Sequence, residues 1–338
     1  MVLETIWFFL WGLLWAIYFI TDGFDLGVGG LIPFLGQTDE EKQAMYHSIG
    51  PVWDGNEVWL ITAGGVTFAA FPLVYAVMFS SMYSALMLIL FALIIRGVSI
   101  EFRHQNDSPA WRTGWDICMC LGSVLPSFLL GVAFANIFQG IPFDAKGVFH
   151  GNLITFLNPY GLLGGLLFSL LFLMHGAIWL TLKTSNELQK RANEFASVIW
   201  PGLVFVILFF IAASKYATQL FNNYMRYPIL YLIIVMGVSA LIIMRYYLFK
   251  NESFKAFIAS AIVILSCTFF GIVGLFPVLF PSSINESFHL TAHNASSSPL
   301  TLSIMLGVVI VFIPIVIGYQ LWSYNLFNEK VDLSESGY

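Results

Sequence analysis

Nine apolar stretches of roughly 20 residues follow one another along this chain, and each is about the length that crosses a bilayer as a helix. They cover Ile6–Leu35, Val52–Phe71, Val77–Ile95, Ile117–Ile137, Leu162–Leu182, Val198–Tyr216, Ile229–Leu248, Phe257–Phe280 and Leu300–Trp322. Lipid offers no hydrogen bonds, so such stretches must satisfy their own backbone groups, and the expected fold is all-α and polytopic. Composition agrees: 59% of the 338 residues are hydrophobic and 10% charged, against about 25% charged in an average soluble domain. The first stretch lacks a basic start and a small-residue cleavage site, so it is expected to remain in the mature protein. Cys118, Cys120 and Cys267 fall inside spans without the paired spacing of a zinc site and read as packing residues.

The order of the spans assigns the fourteen Lys and Arg residues to two sides. Lys42, Arg96, Arg103, Arg112, Lys183, Lys190, Arg191, Arg245, Lys250, Lys255 and Lys330 fall on one side, and Lys146, Lys215 and Arg226 on the other. The positive-inside rule then puts the N-terminus outside and the C-terminus in the cytoplasm. Loops are short apart from Gly140–Tyr160 and Pro281–Pro299 on the outer side. The expectation is a single integral membrane domain over 1–338, with a short cytoplasmic tail at 326–338 and no nucleic-acid partner. Gly23 and Gly27, like Gly161 and Gly165, are spaced for close helix contact.

Within the first span stands TDGFDLGVGG, residues 21–30, with two carboxylates where the helix should still be crossing. Asp22 lies about 24 Å and Asp25 about 28 Å below Ile6 at 1.5 Å per residue, so both approach the cytoplasmic edge of the membrane core. The second span returns from that side as GPVWDGNEVWLITAGG, residues 50–65, carrying Asp54 and Glu57 in its first turns. A charged carboxylate at the bilayer centre costs about 2.5 to 3.5 kcal/mol, so these four groups should face protein or water. They are candidates to accept and pass on protons. The plainer alternative is that Asp54 caps the second helix, Asp22 with Gly23 breaks the first, and Arg96 neutralises one carboxylate. Trp53 reads as an interfacial anchor, Trp59 as a deeper residue that seals or lines a cavity, and Asn56 belongs with them.

Chemistry for redox cofactors is missing. Of six histidines only His175 lies in a span, and a lone buried histidine is more often a hydrogen-bonded packing residue than a haem ligand. There is no phosphate-cradling glycine loop with a Lys and no nucleophile beside a base. The cofactors of any redox enzyme built on this chain are expected elsewhere.

The motifs resemble subunit II of the cytochrome bd quinol oxidases along nearly the whole chain. They are TDGFDLGVGG at 21–30, SIGPVWDGNEVWLITAGG at 48–65, FAAFPLVYA at 68–76, GVAFANIFQGIPF at 131–143, LNPYGLLGG at 157–165, LFPVLFPSS at 275–283 and LTLSIM at 300–305. The resemblance implies a haem-free subunit of a quinol:oxygen oxidoreductase in the plasma membrane of a bacterium or archaeon. Its partner would be a larger subunit I that holds haem b, haem d and the quinol site and reduces oxygen to water. It further implies nine spans arranged as two four-helix bundles plus a peripheral helix, with lipid and the membrane quinol pool as surroundings and room for a small accessory single-span subunit. Asp25, Asp54 and Arg96 match positions of a cytoplasmic proton route, and Tyr338 at the end of the polar tail is a candidate to fold back to its mouth. Two rival readings are a purely structural scaffold for the haem subunit and an ion or solute transporter built on a broken first helix.

Overall fold

The computed structural model describes residues 2–331; Tyr338 and the rest of 332–338 lie outside the described residues. The first helix, α1 (Val2–Leu35), runs through TDGFDLGVGG without a break. The expected interruption at Asp22 and Gly23 is therefore absent. The physical reason is that the polar groups of this stretch are met by neighbouring helices, while its glycines lie at helix crossings, so nothing requires the backbone to unwind.

A short amphipathic helix, α2 (Asp39–Ile49), follows, started by a capping box in which Thr38 and Glu41 satisfy each other's backbone N–H groups. The chain re-enters as α3 (Trp53–Ala70), then α4 (Pro72–Ser81) and α5 (Tyr83–Phe102). The third expected span is thus shared by two helices that meet at Met82. Pro72 has no N–H to give the preceding turn and opens a new helix. The remaining helices are α6 (Pro109–Gln139), α7 (Pro159–Lys183), α8 (Asn186–Ala217), the short α9 (Phe221–Arg226), α10 (Tyr231–Phe249), α11 (Ser253–Leu275) and α12 (Pro299–Leu326). Among the described residues eight helices are long and apolar enough to cross a membrane. The eighteen-residue α3 is outside that set, because Asp54, Asn56 and Glu57 dilute its first turns.

Packing follows the small residues. α1 lies against α3, α6, α7 and α11; α5 packs on α6, α7 on α8, and α10 on α11. On the side of the α6–α7 connection, strand β1 (Val278–Phe280) pairs antiparallel with β2 (Leu290–Thr291). A bridge between Ile141 and Ser282, with the Ser282 hydroxyl donating to the Phe143 carbonyl at 2.6 Å, ties the two long loops together. α12 stands apart, with Leu302 its one buried residue. At its N-terminal end it is held by the Trp7 indole, which donates to the Leu302 carbonyl at 3.1 Å.

The closest approach is between α1 and α7. A Cβ added at Gly27 would sit 1.9 Å from the Phe172 carbonyl oxygen, and one at Gly176 would meet the Gly27 backbone at 2.5 Å. Backbone cannot yield as a side-chain tip can, so overpacking here belongs at or above the upper end of the usual 1–3 kcal/mol. Gly27→Val should abolish the monodisperse peak of the detergent-purified protein on size exclusion. Gly64→Ala, whose Cβ meets nothing within 4 Å, should leave that peak unchanged.

Candidate functional site

Three helices bring polar side chains to one place. α1 supplies Asp22 and Asp25, both completely buried; α5 supplies Arg96, 1% exposed; α3 supplies Asn56 and Glu57. Arg96 Nη1 lies 2.7 Å from Asp22 Oδ1 and Nη2 lies 3.1 Å from Glu57 Oε2. Arg96 thus pairs with two carboxylates rather than one. Glu57 serves as an ion-pair partner, a part that a neutral glutamine fills less well.

Asp25 is reached through Asn56, whose Nδ2 donates to Asp25 Oδ2 at 2.7 Å. The amide is held in this orientation from behind, since its Oδ1 accepts from Tyr324 Oη at 2.5 Å and from Gln320 Nε2 at 3.0 Å. Trp59, buried on α3, donates from Nε1 to Gln320 Oε1 at 2.9 Å. Beyond these bonds, buried polar atoms are left over: Asp25 Oδ1, Arg96 Nε and the Tyr18 hydroxyl one turn above Asp22 have no hydrogen-bond partner. Three carboxyl groups share one guanidinium here. Carboxyl groups gathered around a buried guanidinium and shielded from water are a composition suited to proton exchange.

The residues singled out in the sequence divide in two. Asp22, Asp25, Asn56, Glu57, Trp59 and Arg96 come together, and Gly23 and Gly27 form the face of α1 that meets α7. Asp54 is exposed in the first turn of α3. It does not cap that helix: the cap position belongs to Val52 and carries no side-chain bond. A carboxylate there still favours the positive end of the helix. Trp53 is half-buried against Gly97 of α5. Gln320, Tyr324 and Tyr18 come to the site without having been singled out in the sequence; the available signal for the first two is that they are polar side chains one turn apart at the C-terminal end of the last apolar stretch.

His175 is fully buried with both ring nitrogens engaged, Nδ1 with Ser260 Oγ at 2.6 Å and Nε2 with the Ile20 carbonyl at 3.0 Å. Its ring stacks on Phe257 at 4.5 Å. Neither nitrogen is left to bind iron, so the residue does not fit a haem. Among the described residues no three His, Cys, Asp or Glu side chains are grouped to hold a metal ion.

Below the cluster, α2 is fastened by ion pairs. Arg103 bridges Asp116 and Asp39 at 2.7 Å each, Lys42 meets Asp116 at 3.1 Å, Arg112 joins Asp39 and Asp107, and Arg191 meets Glu41 at 2.5 Å. Burial pushes the Asp39 carboxyl up, but hydrogen bonds and charge from Arg103 and Arg112 outweigh it and hold the group below the usual carboxylate range. Arg191 and the backbone at Gln37 do the same for Glu41. Both stay ionised at neutral pH.

A family model described as cytochrome bd terminal oxidase subunit II matches residues 3–327. The chain belongs to that family. Among its relatives is the cytochrome bd ubiquinol oxidase subunit 2 of Bacillus subtilis, 38% identical over 336 residues, 98% of each chain. The cytochrome bd-I ubiquinol oxidase subunit 2 of Escherichia coli K12 is 35% identical and covers 96% of this chain and 93% of its own. In fold the chain is similar to a chain in the structure of bd oxidase from Geobacillus thermodenitrificans, with a TM-score of 0.76, 16% identity, and coverage of 96% and 99%. As a cytochrome bd subunit II the chain is a component of a quinol oxidase, an oxidoreductase, and a multi-pass protein of the plasma membrane.

Removing one member of a buried ion pair leaves the rest uncompensated, at a cost of about 3–5 kcal/mol. Arg96→Gln strands Asp22 and Glu57 together. The expected result is a marked fall in the melting temperature of the cytochrome bd complex, read by tryptophan fluorescence in detergent, with Arg96→Lys falling between it and wild type.

Proposed function

We propose that this chain supplies a cytoplasmic proton route to a larger, haem-bearing subunit I, and stabilises that subunit through its apolar faces. The observation that carries this reading is the buried cluster of Asp22, Asp25, Glu57 and Arg96 between α1, α3 and α5. Haem b and haem d belong to subunit I in this reading, where they take electrons from quinol and pass them to oxygen. Drawing quinol electrons from near the outer face and the protons of water formation from the cytoplasm separates charge without a pump.

The topology that goes with this has nine spans, with α3 as the ninth, an outside N-terminus and a cytoplasmic C-terminus. The helices divide into two four-helix bundles, α1, α3, α4–α5 and α6 in one and α7, α8, α10 and α11 in the other, with α12 peripheral. Supporting it are the packing of α1 on α3 and α6, of α5 on α6, of α7 on α8 and α11 and of α10 on α11, with the two sets meeting along α6–α7 and α1–α7, and the gathering of eleven of fourteen Lys and Arg residues on one side. The exposed apolar faces of α5 and α12, Phe91, Ile94, Val311 and Ile315 among them, suit lipid, subunit I or a small accessory span. The quinol pool reaches the complex through the partner. α1 is continuous, which removes the broken helix on which a transporter reading rested. A scaffold without a proton role is the remaining rival.

In this route Asp25 holds protons inside, and Asp54, exposed at the start of α3, gathers them at the cytoplasmic surface. Asp25→Asn should slow oxygen consumption by the purified complex on the order of a hundredfold, the scale of a positioned proton-transfer group, with the reduced haem spectrum intact. Asp54→Asn should slow it less, because water can replace an exposed carboxylate. Wild-type turnover in both would leave the scaffold reading standing.

A further inference from the structure

α12 is exposed to its surroundings along nearly its whole length, so a polar side chain on it gains no core packing and is costly against lipid. Gln320 and Tyr324 nevertheless occur one turn apart, and both bond the same atom, Asn56 Oδ1. On its other side the Tyr324 ring meets Phe24 and Trp179 edge-on, at 6.3 and 6.2 Å.

Beneath Tyr324 lies a small pocket that it lines together with His47, Ser48, Trp179, Lys183 and Glu329. Its cavity of about 20 Å³ has room for about one water molecule. The segment after α12 covers it: Lys183 Nζ donates to the Phe327 carbonyl, and Val331 N donates to the Lys183 carbonyl at 2.8 Å. Lys183 and Glu329 bring opposite charges to the rim. Burial first, and then the charge of Arg103, hold the His47 imidazole below the usual histidine range, so at neutral pH it adds no charge to the pocket.

The two approaches to the carboxylates differ in charge. Along α3 from Asp54, a proton meets Glu57 and then Arg96, and a buried guanidinium is an electrostatic barrier to a proton. From the pocket it meets a neutral hydroxyl and a neutral amide before Asp25.

We infer that the pocket under the end of α12 is the cytoplasmic antechamber of Asp25, and that Tyr324 and Gln320 are positioning residues that keep the Asn56 N–H turned toward the Asp25 carboxylate. This rests on the proton-route reading above and names its path. The proton that ends on Asp25 comes from the cytoplasmic water of the pocket; Tyr324 and Asn56 do not carry it but set the carboxylate that receives it. With Oδ1 of Asn56 held twice, the amide cannot flip and offer its oxygen to the carboxylate, a contact that would repel the ionised form. One oxygen of Asp25 remains unpartnered and open to accept.

The test uses the purified two-subunit complex with Tyr324→Phe, which keeps the ring and its aromatic neighbours and removes the hydroxyl alone. Turnover at saturating quinol should fall roughly tenfold with KM for quinol and the haem spectrum unchanged, and the solvent isotope effect in D2O should rise. Gln320→Met, a second variant of similar volume, should move the same readouts in the same direction. Wild-type turnover and isotope effect in both variants overturn the inference. So does a fall in turnover that only tracks lost haem content or melting temperature, since a structural role predicts no change in isotope effect. Asp25→Asn measured alongside separates the two levels of argument. If it is slow while both α12 variants run at the wild-type rate, the antechamber fails and the proton route stands; if it too runs at the wild-type rate, the route itself fails.

Discussion

Arg96 is the point on which the acidic end of this fold depends. A guanidinium that is 1% exposed inside a membrane helix is stable only with partners on more than one side, and it finds them on α1 and α3. Asp22 can therefore remain in a continuous helix, and Glu57 can lie near the start of α3 without facing lipid. Three helices are drawn to one charge. The small residues around it let them come close enough, since a Cβ added at Gly122 of α6 would lie only 2.9 Å from the Arg96 backbone N.

Much of this was legible in the sequence because the membrane allows so few solutions. Long apolar stretches must be helices, and the motif at residues 21–30 had to find polar neighbours, so the meeting of Asp22, Asp25, Glu57 and Arg96 followed from which side each span enters. What was not legible depended on neighbours distant in the chain. Asp22 with Gly23 reads as a helix breaker locally, yet α1 continues, because satisfaction of the carboxylate by α5 outweighs local propensity. The break at Met82 is a single residue, which an apolar average over Val77–Ile95 smooths away. Tyr324 lies 268 positions from Asn56, and no window of residues relates them.

Asp54 and Asp25 show how two similar carboxylates part company. Both sit beside a tryptophan or phenylalanine and near glycine in the sequence, but one occupies the first turn of a helix and the other its interior. The first has the positive helix end and water to support its charge. The second has one amide donor and its neighbours' field. Burial, which sequence pattern hints at only through span position, decides what each can do.

The attachment of α12 completes the argument from energetics to function. An apolar helix in lipid gains little from association beyond packing and hydrogen bonds, and α12 has scant packing. Its hold on the rest of the chain is therefore largely polar: Trp7 to Leu302 at one end, Gln320 and Tyr324 to Asn56, and the Lys183 contacts at the other. Interhelical hydrogen bonds of this kind contribute about 0.6 kcal/mol each on average, so a handful suffices to dock the helix without making it rigid. Because two of those bonds end on the amide that touches Asp25, the docking of α12 and the setting of the carboxylate are one event, and whatever presses on the outer face of α12 acts on the orientation of Asn56.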